Sequence, residues 1–167
     1  MRFLHLVSFI LLLILPAGVH AQEGDPFRAT EYPVPRFVSL RADKVYARTG
    51  PGTRYPIRWV YQKQGMPVEI VLEYDTWRKI KDIDGDEGWV HQSLLSGART
   101  GIVKGAENLP LYRKPDPESH ILAYAQPEAI IGIEECGTQW CLVDAEGYKG
   151  WTDKNRLWGV YGEEIFD

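Results

Sequence analysis

From Phe37 onward, apolar and polar residues alternate in short runs and do not recur every three or four positions. "PVEIVLEY" (67–74) and "TWRKIKDI" (76–83) are rich in Val, Ile, Tyr and Trp, and Gly, Pro and Asp clusters bound such runs. Successive strand side chains point to opposite faces, so this texture predicts β-strands. The two runs meet at Asp75-Thr76, which predicts a hairpin turn. No stretch keeps helical periodicity over three turns. The expected class is all-β.

The pattern is written twice. Pro51 aligns with Pro115, Ile57 with Ile121, Ile70 with Ile133, Trp77 with Trp140 and Trp89 with Trp151. "GDEGWVHQSLL" in the first copy becomes "GYKGWTDKNRL" in the second, and Leu95 falls on Leu157. The offset drifts from 64 to 62, as expected when hairpin loops shorten. Two units of about 60 residues, each with about five short strands, read as two small β-barrels in tandem. The first spans 37–98, the second 99–167 with a C-terminal tail. A domain so small buries a limited core. The two are therefore expected to pack together, with the apolar tail Leu157-Trp158-Gly159-Val160-Tyr161 helping to seal the joint.

The first residues have a different texture. Arg2 precedes an apolar run from Phe3 to Leu15, Pro16 and Gly18 break it, and Val19-His20-Ala21 offers small residues before Gln22. This is the pattern of a secretory signal peptide over residues 1–21. The alternative is an uncleaved anchor, but the run is short for a bilayer. No cysteine follows the run to carry a lipid. The expected location is periplasmic or secreted. Residues 22–36, with three prolines in 15 positions, read as an extended lead-in, partly disordered.

The net charge of −4, with no basic run, argues against nucleic acid as a partner. The two cysteines, Cys136 and Cys141, lie in an exported chain, which favours a disulfide over free thiols. Aligned on the first copy, they fall on Glu73 and Arg78. The first copy is expected to hold the same hairpin with an exposed opposite-charge cross-strand pair.

These residues resemble a known family. "PRFVSLRADKVYARTGPGTRYPIRWVY", "WRKIKD" and "GWVHQSLLSG", then "QWCLV" and "LWGVY", are similar to the tandem SH3-like domain proteins exported by bacteria. The resemblance covers residues 35–161. It is denser in the first copy, because "YRKPDPES" lacks the glycines of "RTGPGTRY". It implies two SH3-like barrels and an envelope-located binding role, often toward cell-wall material or peptides.

Gly50-Pro51-Gly52-Thr53 invites comparison with a phosphate loop. It lacks the lysine, and no helix follows to offer free amides. It reads better as a corner, with Pro51 setting φ and the glycines tolerating φ > 0. "DIDGDEG" (82–88) fails as a calcium loop, since positions 6 and 12 are Glu87 and Ser93. Asp84-Gly85 reads as a hairpin turn. His91 and His120 lie in different repeats, and no zinc set is visible. Ser93 close to His91 is not a triad, and nothing singles out a carboxylate pair. The sequence points to no enzyme, metal or cofactor.

Six tryptophans and nine tyrosines are the strongest functional clue. Trp77 and Ile80 differ by three, so if Ile80 is core, Trp77 faces outward or into a groove. Trp140 and Val143 repeat this. The alternative is that these rings fill the small barrels or the interface between them, and for Trp89 and Trp151 that reading is favoured. Trp77, Tyr55, Trp59 and Tyr74, with Arg48 and Arg54, are the candidate ligand-binding residues. Rings stack on apolar edges and guanidinium groups meet carboxylates. The expected partner is a peptide, a peptidoglycan fragment or an envelope protein. Alternatives are a scaffold whose aromatic face is buried in a partner or homodimer, and a small envelope hydrolase.

Overall fold

The computed structural model describes Phe27 and residues 29–167. The expected signal peptide and most of residues 22–28 lie outside them. The first repeat forms β1 (Arg36–Leu40), β2 (Val45–Arg48), β3 (Ile57–Tyr61), β4 (Pro67–Tyr74), β5 (Trp77–Lys81), β6 (Glu87–His91) and β7 (Leu95–Ser96). The second forms β8 (Thr100–Val103), β9 (Leu109–Tyr112), β10 (Ile121–Ala125), β11 (Ile130–Cys136), β12 (Trp140–Ala145), β13 (Tyr148–Asp153) and β14 (Leu157–Trp158). The strand orders are β3-β2-β6-β5-β4-β1-β7 and β10-β9-β13-β12-β11-β8-β14, the same topology twice. Each sheet thus has seven strands, not five, and its end strands do not pair to close a barrel.

Each sheet nevertheless wraps one core. In the first, Tyr61 of end strand β3 and Leu95 of end strand β7 join one buried cluster with Val45, Val68, Ile80 and Val90. In the second, Ala125 of end strand β10 and Leu157 of end strand β14 join Leu109, Leu111, Ile133 and Val143. Ile80 and Val143 are fully buried, as alternation from the outward tryptophans requires. Both repeats carry a bulge at the same place, between Ile70 and Leu72 and between Ile133 and Glu135. At the two-residue β4–β5 turn, Asp75 takes φ +48, which that turn demands.

The repeats pack together through the predicted tail. The Phe37 ring meets Trp158 at 5.0 Å and Tyr161 at 4.7 Å. The Tyr161 hydroxyl donates to Glu69 at 2.8 Å, and Thr100 Oγ1 donates to the Gly65 carbonyl at 2.6 Å. Gly159 has φ +120, and a Cβ there would lie 2.3 Å from the Thr100 carbonyl oxygen. Only glycine fits this closure. Beyond it, buried Lys154 donates to the carbonyls of Gly162 and Glu164, and Phe166 pairs with Cys136. Arg99 grips Glu164 at 2.6 and 2.9 Å.

The lead-in is tied down at its described end. Thr30 donates through its amide and hydroxyl to the Glu73 carboxylate, and Arg36 donates to it at 2.7 Å. Phe27 stands edge-on to Tyr74 at 5.6 Å.

Candidate functional site

The site grows out of hairpin register. Across β4, β5 and β6, Tyr74 opposes Trp77 and Trp77 opposes His91. In the adjoining outward row, Leu72 opposes Lys79, Lys79 opposes Trp89, and Trp89 opposes Arg48 of β2. Directly opposed side chains share a face. The row between, Glu73, Arg78 and Val90, points inward and is buried. Trp77 therefore stands on the outer face, half-buried and edge-on to His91 at 5.5 Å. The same register sets Trp140 outward in the second repeat, half-buried beside Tyr112 at 5.7 Å.

Trp89 and Trp151 correct the core reading. Both alternate with buried neighbours, Gly88 and Val90 in β6 and Gly150 and Thr152 in β13, so both face outward and are half-buried. The strands turn their small residues inward because the neighbouring backbone is close. A Cβ at Gly88 would lie 2.8 Å from Ala47, and one at Gly150 would lie 2.9 Å from Leu111.

Tyr55 lies over the corner. A Cβ at Gly50 would lie 2.6 Å from its ring. Neither Gly50 nor Gly52 has positive φ, so ring clearance, not turn handedness, explains the glycine at 50. Arg48 donates to the Tyr55 carbonyl at 2.7 Å and so holds the corner closed. Arg54 stacks over the Tyr55 ring at 5.2 Å, within electrostatic reach of Tyr74. Trp59 stands apart from this group. It opposes Ala47 on the core side of β2, at the sheet edge, and stays 39% exposed. The structure thus assembles Tyr74 and Trp77 with Trp89, Arg48, Tyr55 and Arg54 around them, and adds His91 and Lys79, which sequence reasoning missed. The hairpin register held that signal, since pairing β5 with β6 across the Asp84-Gly85 turn sets His91 opposite Trp77 and Lys79 opposite Trp89.

Under the face lies a buried ionic cluster. Glu73 meets Arg78 at 3.2 Å and Arg36 at 2.7 Å, and both Glu73 and Arg78 are buried. The expected pair therefore forms, but in the interior and not on the surface. Burial acts to raise the Glu73 carboxyl. Hydrogen bonds from Arg36 and Thr30, with the charges of Arg78 and Arg36, outweigh it and hold the pKa below the ordinary carboxylate value. In the second repeat the same register position holds the Cys136–Cys141 disulfide. Its Cα atoms are 4.1 Å apart, closer than the usual bridging range of about 4.4–6.8 Å.

Asp82 accepts the amides of Asp84 and Asp86, so it organises the β5–β6 turn. His91 Nδ1 and Ser93 Oγ are 2.7 Å apart, but Nδ1 also caps the 3₁₀ turn Gln92–Leu94. In the second repeat Asp153 caps the matching turn Lys154–Arg156. An aspartate filling the same role identifies the His–Ser contact as a cap.

Two clefts share Trp140 in their linings. One cleft of about 450 Å³ is lined by Tyr112, Pro117, Trp140, Asp153 and Arg156 among others. Another of about 440 Å³ is lined by Pro115, Glu135, Trp140, Trp151 and the Gly137-Thr138-Gln139 turn. The Lys114-Pro115-Asp116-Pro117 corner thus borders both clefts.

No curated protein matches the chain. Among solved structures, two proteins of Trichomonas vaginalis, NlpC2 and NlpC1, are similar, each at 14% identity. Their TM-scores are 0.34 and 0.33, over 76% and 78% of this chain. The chain spans about half the length of each, 49% and 48%. A likeness so distant carries no functional argument. Residues 41–97 and 105–159 each match the profile of the bacterial SH3 domain. The chain belongs to that family and carries its domain twice.

Proposed function

We propose that the protein is an exported, non-enzymatic binding protein of the cell envelope, periplasmic or secreted. Its aromatic faces recognise a peptide, a peptidoglycan fragment or an envelope protein. The observation that carries this reading is the outward tryptophan at one register position in both repeats, half-buried among further rings. A half-buried ring keeps a face for a ligand while its edge is fixed by neighbours, so little freedom is lost on binding. Membership of a family whose domains typically bind cell-wall material or peptides supports it.

The test is retention of the purified protein on isolated sacculi and on immobilised envelope proteins. Retention is expected to fall about tenfold or more in Trp77→Ala or Trp140→Ala, the size of an aromatic hot spot. Retention on neither support would overturn the reading. Retention on one envelope protein in a fixed ratio, unchanged by both variants, would favour a scaffold.

A further inference from the structure

The two tryptophan faces share one register but differ in charge. In the first repeat, Lys79 stands opposite Trp89, and its ammonium pairs with Glu87. Leu72 is the cross-strand neighbour of Lys79. In the second repeat the corresponding pair is Glu135 and Leu142, with Leu142 opposite Trp151. The first copy therefore supplies its own cation beside its tryptophans. The second copy has an apolar residue there and a carboxylate across the hairpin.

Glu135 is the sole ionisable residue lining the cleft of about 440 Å³ that Trp140, Trp151 and Pro115 border. It is half-buried and has no ion-pair partner among the described residues. The nearby Lys149 is paired with Glu134 instead. Arg156, beyond Trp140, donates to the carbonyls of Lys104 and Glu107. The corner beside the cleft, which Pro115 borders, also differs between the repeats. Tyr55, whose ring covers Gly50, is replaced by Ser119, whose hydroxyl accepts from the Lys114 amide.

We propose that this second-domain cleft binds a cationic side chain of an extended peptide, an ammonium or guanidinium group. The group lies between Trp140 and Trp151, with Glu135 as its counter-ion. Two indole faces attract a cation through their quadrupoles, and a half-desolvated carboxylate strengthens the attraction. The neighbouring residues of the peptide cross Trp140 into the adjoining cleft, where Tyr112, Pro110 and Pro117 offer apolar contact for extended, proline-rich chain and Gln139, Asp153 and Asn155 offer polar groups to its backbone. This rests on the binding reading above and names the ligand chemistry of one of its two faces.

The experiment follows the tryptophan indole resonances of the two-domain protein by NMR at low salt. The probes are an acetylated, amidated Pro-Lys-Pro-Lys-Pro peptide and its Pro-Glu-Pro-Glu-Pro counterpart. The lysine peptide is expected to shift the Trp140 and Trp151 indoles, and the glutamate peptide to leave them in place. Glu135→Gln is expected to weaken the lysine peptide about tenfold, a typical loss when one charge of a partly buried pair is removed. Leu142→Lys, which restores the internal cation of the first repeat, is expected to abolish binding. Glu134→Gln is expected to change nothing. No shift with the lysine peptide, equal shifts with both peptides, or unchanged affinity in both Glu135→Gln and Leu142→Lys would each overturn the proposal. If the lysine peptide fails while sacculus retention persists, this site assignment alone is wrong. If both fail, the binding reading falls with it.

Discussion

At the scale of single residues, Glu73 is a carboxylate on which separate segments converge. It joins the lead-in, through Thr30 and Arg36, to the β4–β5 hairpin, through Arg78. Removing one partner of a buried ion pair strands the other. Glu73→Ala is therefore expected to destabilise the protein by about 3–5 kcal/mol in urea unfolding. Glu134→Ala, which removes the exposed pair with Lys149, is expected to cost under about 1 kcal/mol. The lowered Glu73 pKa has a directional consequence. A carboxyl whose folded pKa lies below its unfolded value stabilises the fold fully above the unfolded value, about 4.3. That contribution disappears as pH falls through the lowered folded pKa. Acid unfolding of the wild type should thus be steep below that range, and Glu73→Gln should flatten it. Gly50 is a second such residue. Gly50→Ala is expected to cost about 1–3 kcal/mol by overpacking against Tyr55. In Tyr55→Ala most of that cost should vanish, a coupling that a double-mutant cycle of melting curves reads directly.

At the scale of elements, one hairpin position is secured in two chemistries. β4–β5 carries Glu73 and Arg78, and β11–β12 carries Cys136 and Cys141. The disulfide closes a loop of six residues, so its loss is expected to cost only about 2 kcal/mol. Melting the Cys136→Ala/Cys141→Ala variant beside the wild type checks this. A loss much above that figure would mean that the tail strand, which pairs with Cys136 through Phe166, leaves with it. The outward strands make a second prediction. Trp89 is not core, so Trp89→Ala should resemble Trp77→Ala in stability, each about 1–2 kcal/mol. Truncating a fully buried aromatic would cost about 3–5 kcal/mol.

At the scale of the whole molecule, the joint is an aromatic and hydrogen-bonded seam. Phe37, Trp158 and Tyr161 stack there, and Gly159 lets the chains approach. Each repeat alone is small, so the seam should couple their unfolding. Calorimetry is expected to show one transition for the wild type. Gly159→Ala forces a Cβ into the Thr100 carbonyl and is expected to separate that transition into two or lower its midpoint by several degrees.

Much of this was legible in the chain because it depends on period and repetition. Alternation put Ile80 and Val143 on the face opposite Trp77 and Trp140, while leaving open which face was core, and duplication aligned both copies and set Glu73 and Arg78 opposite each other. These are local properties of a strand and its hairpin partner, so neighbouring residues suffice to establish them. The outcomes that escaped the sequence depend on what a third strand or a loop brings close. Trp89 and Trp151 point outward because Ala47 and Leu111 press on the glycines beside them. Trp59 leaves the aromatic group because its partner on β2 faces the core. The Glu73–Arg78 pair is interior because the lead-in folds back over it. Space beside Trp140 depends on where the proline corner and Glu135 meet around the ring. Such approaches are set by chain segments distant in sequence, and no alternation of apolar and polar residues encodes the distance between them.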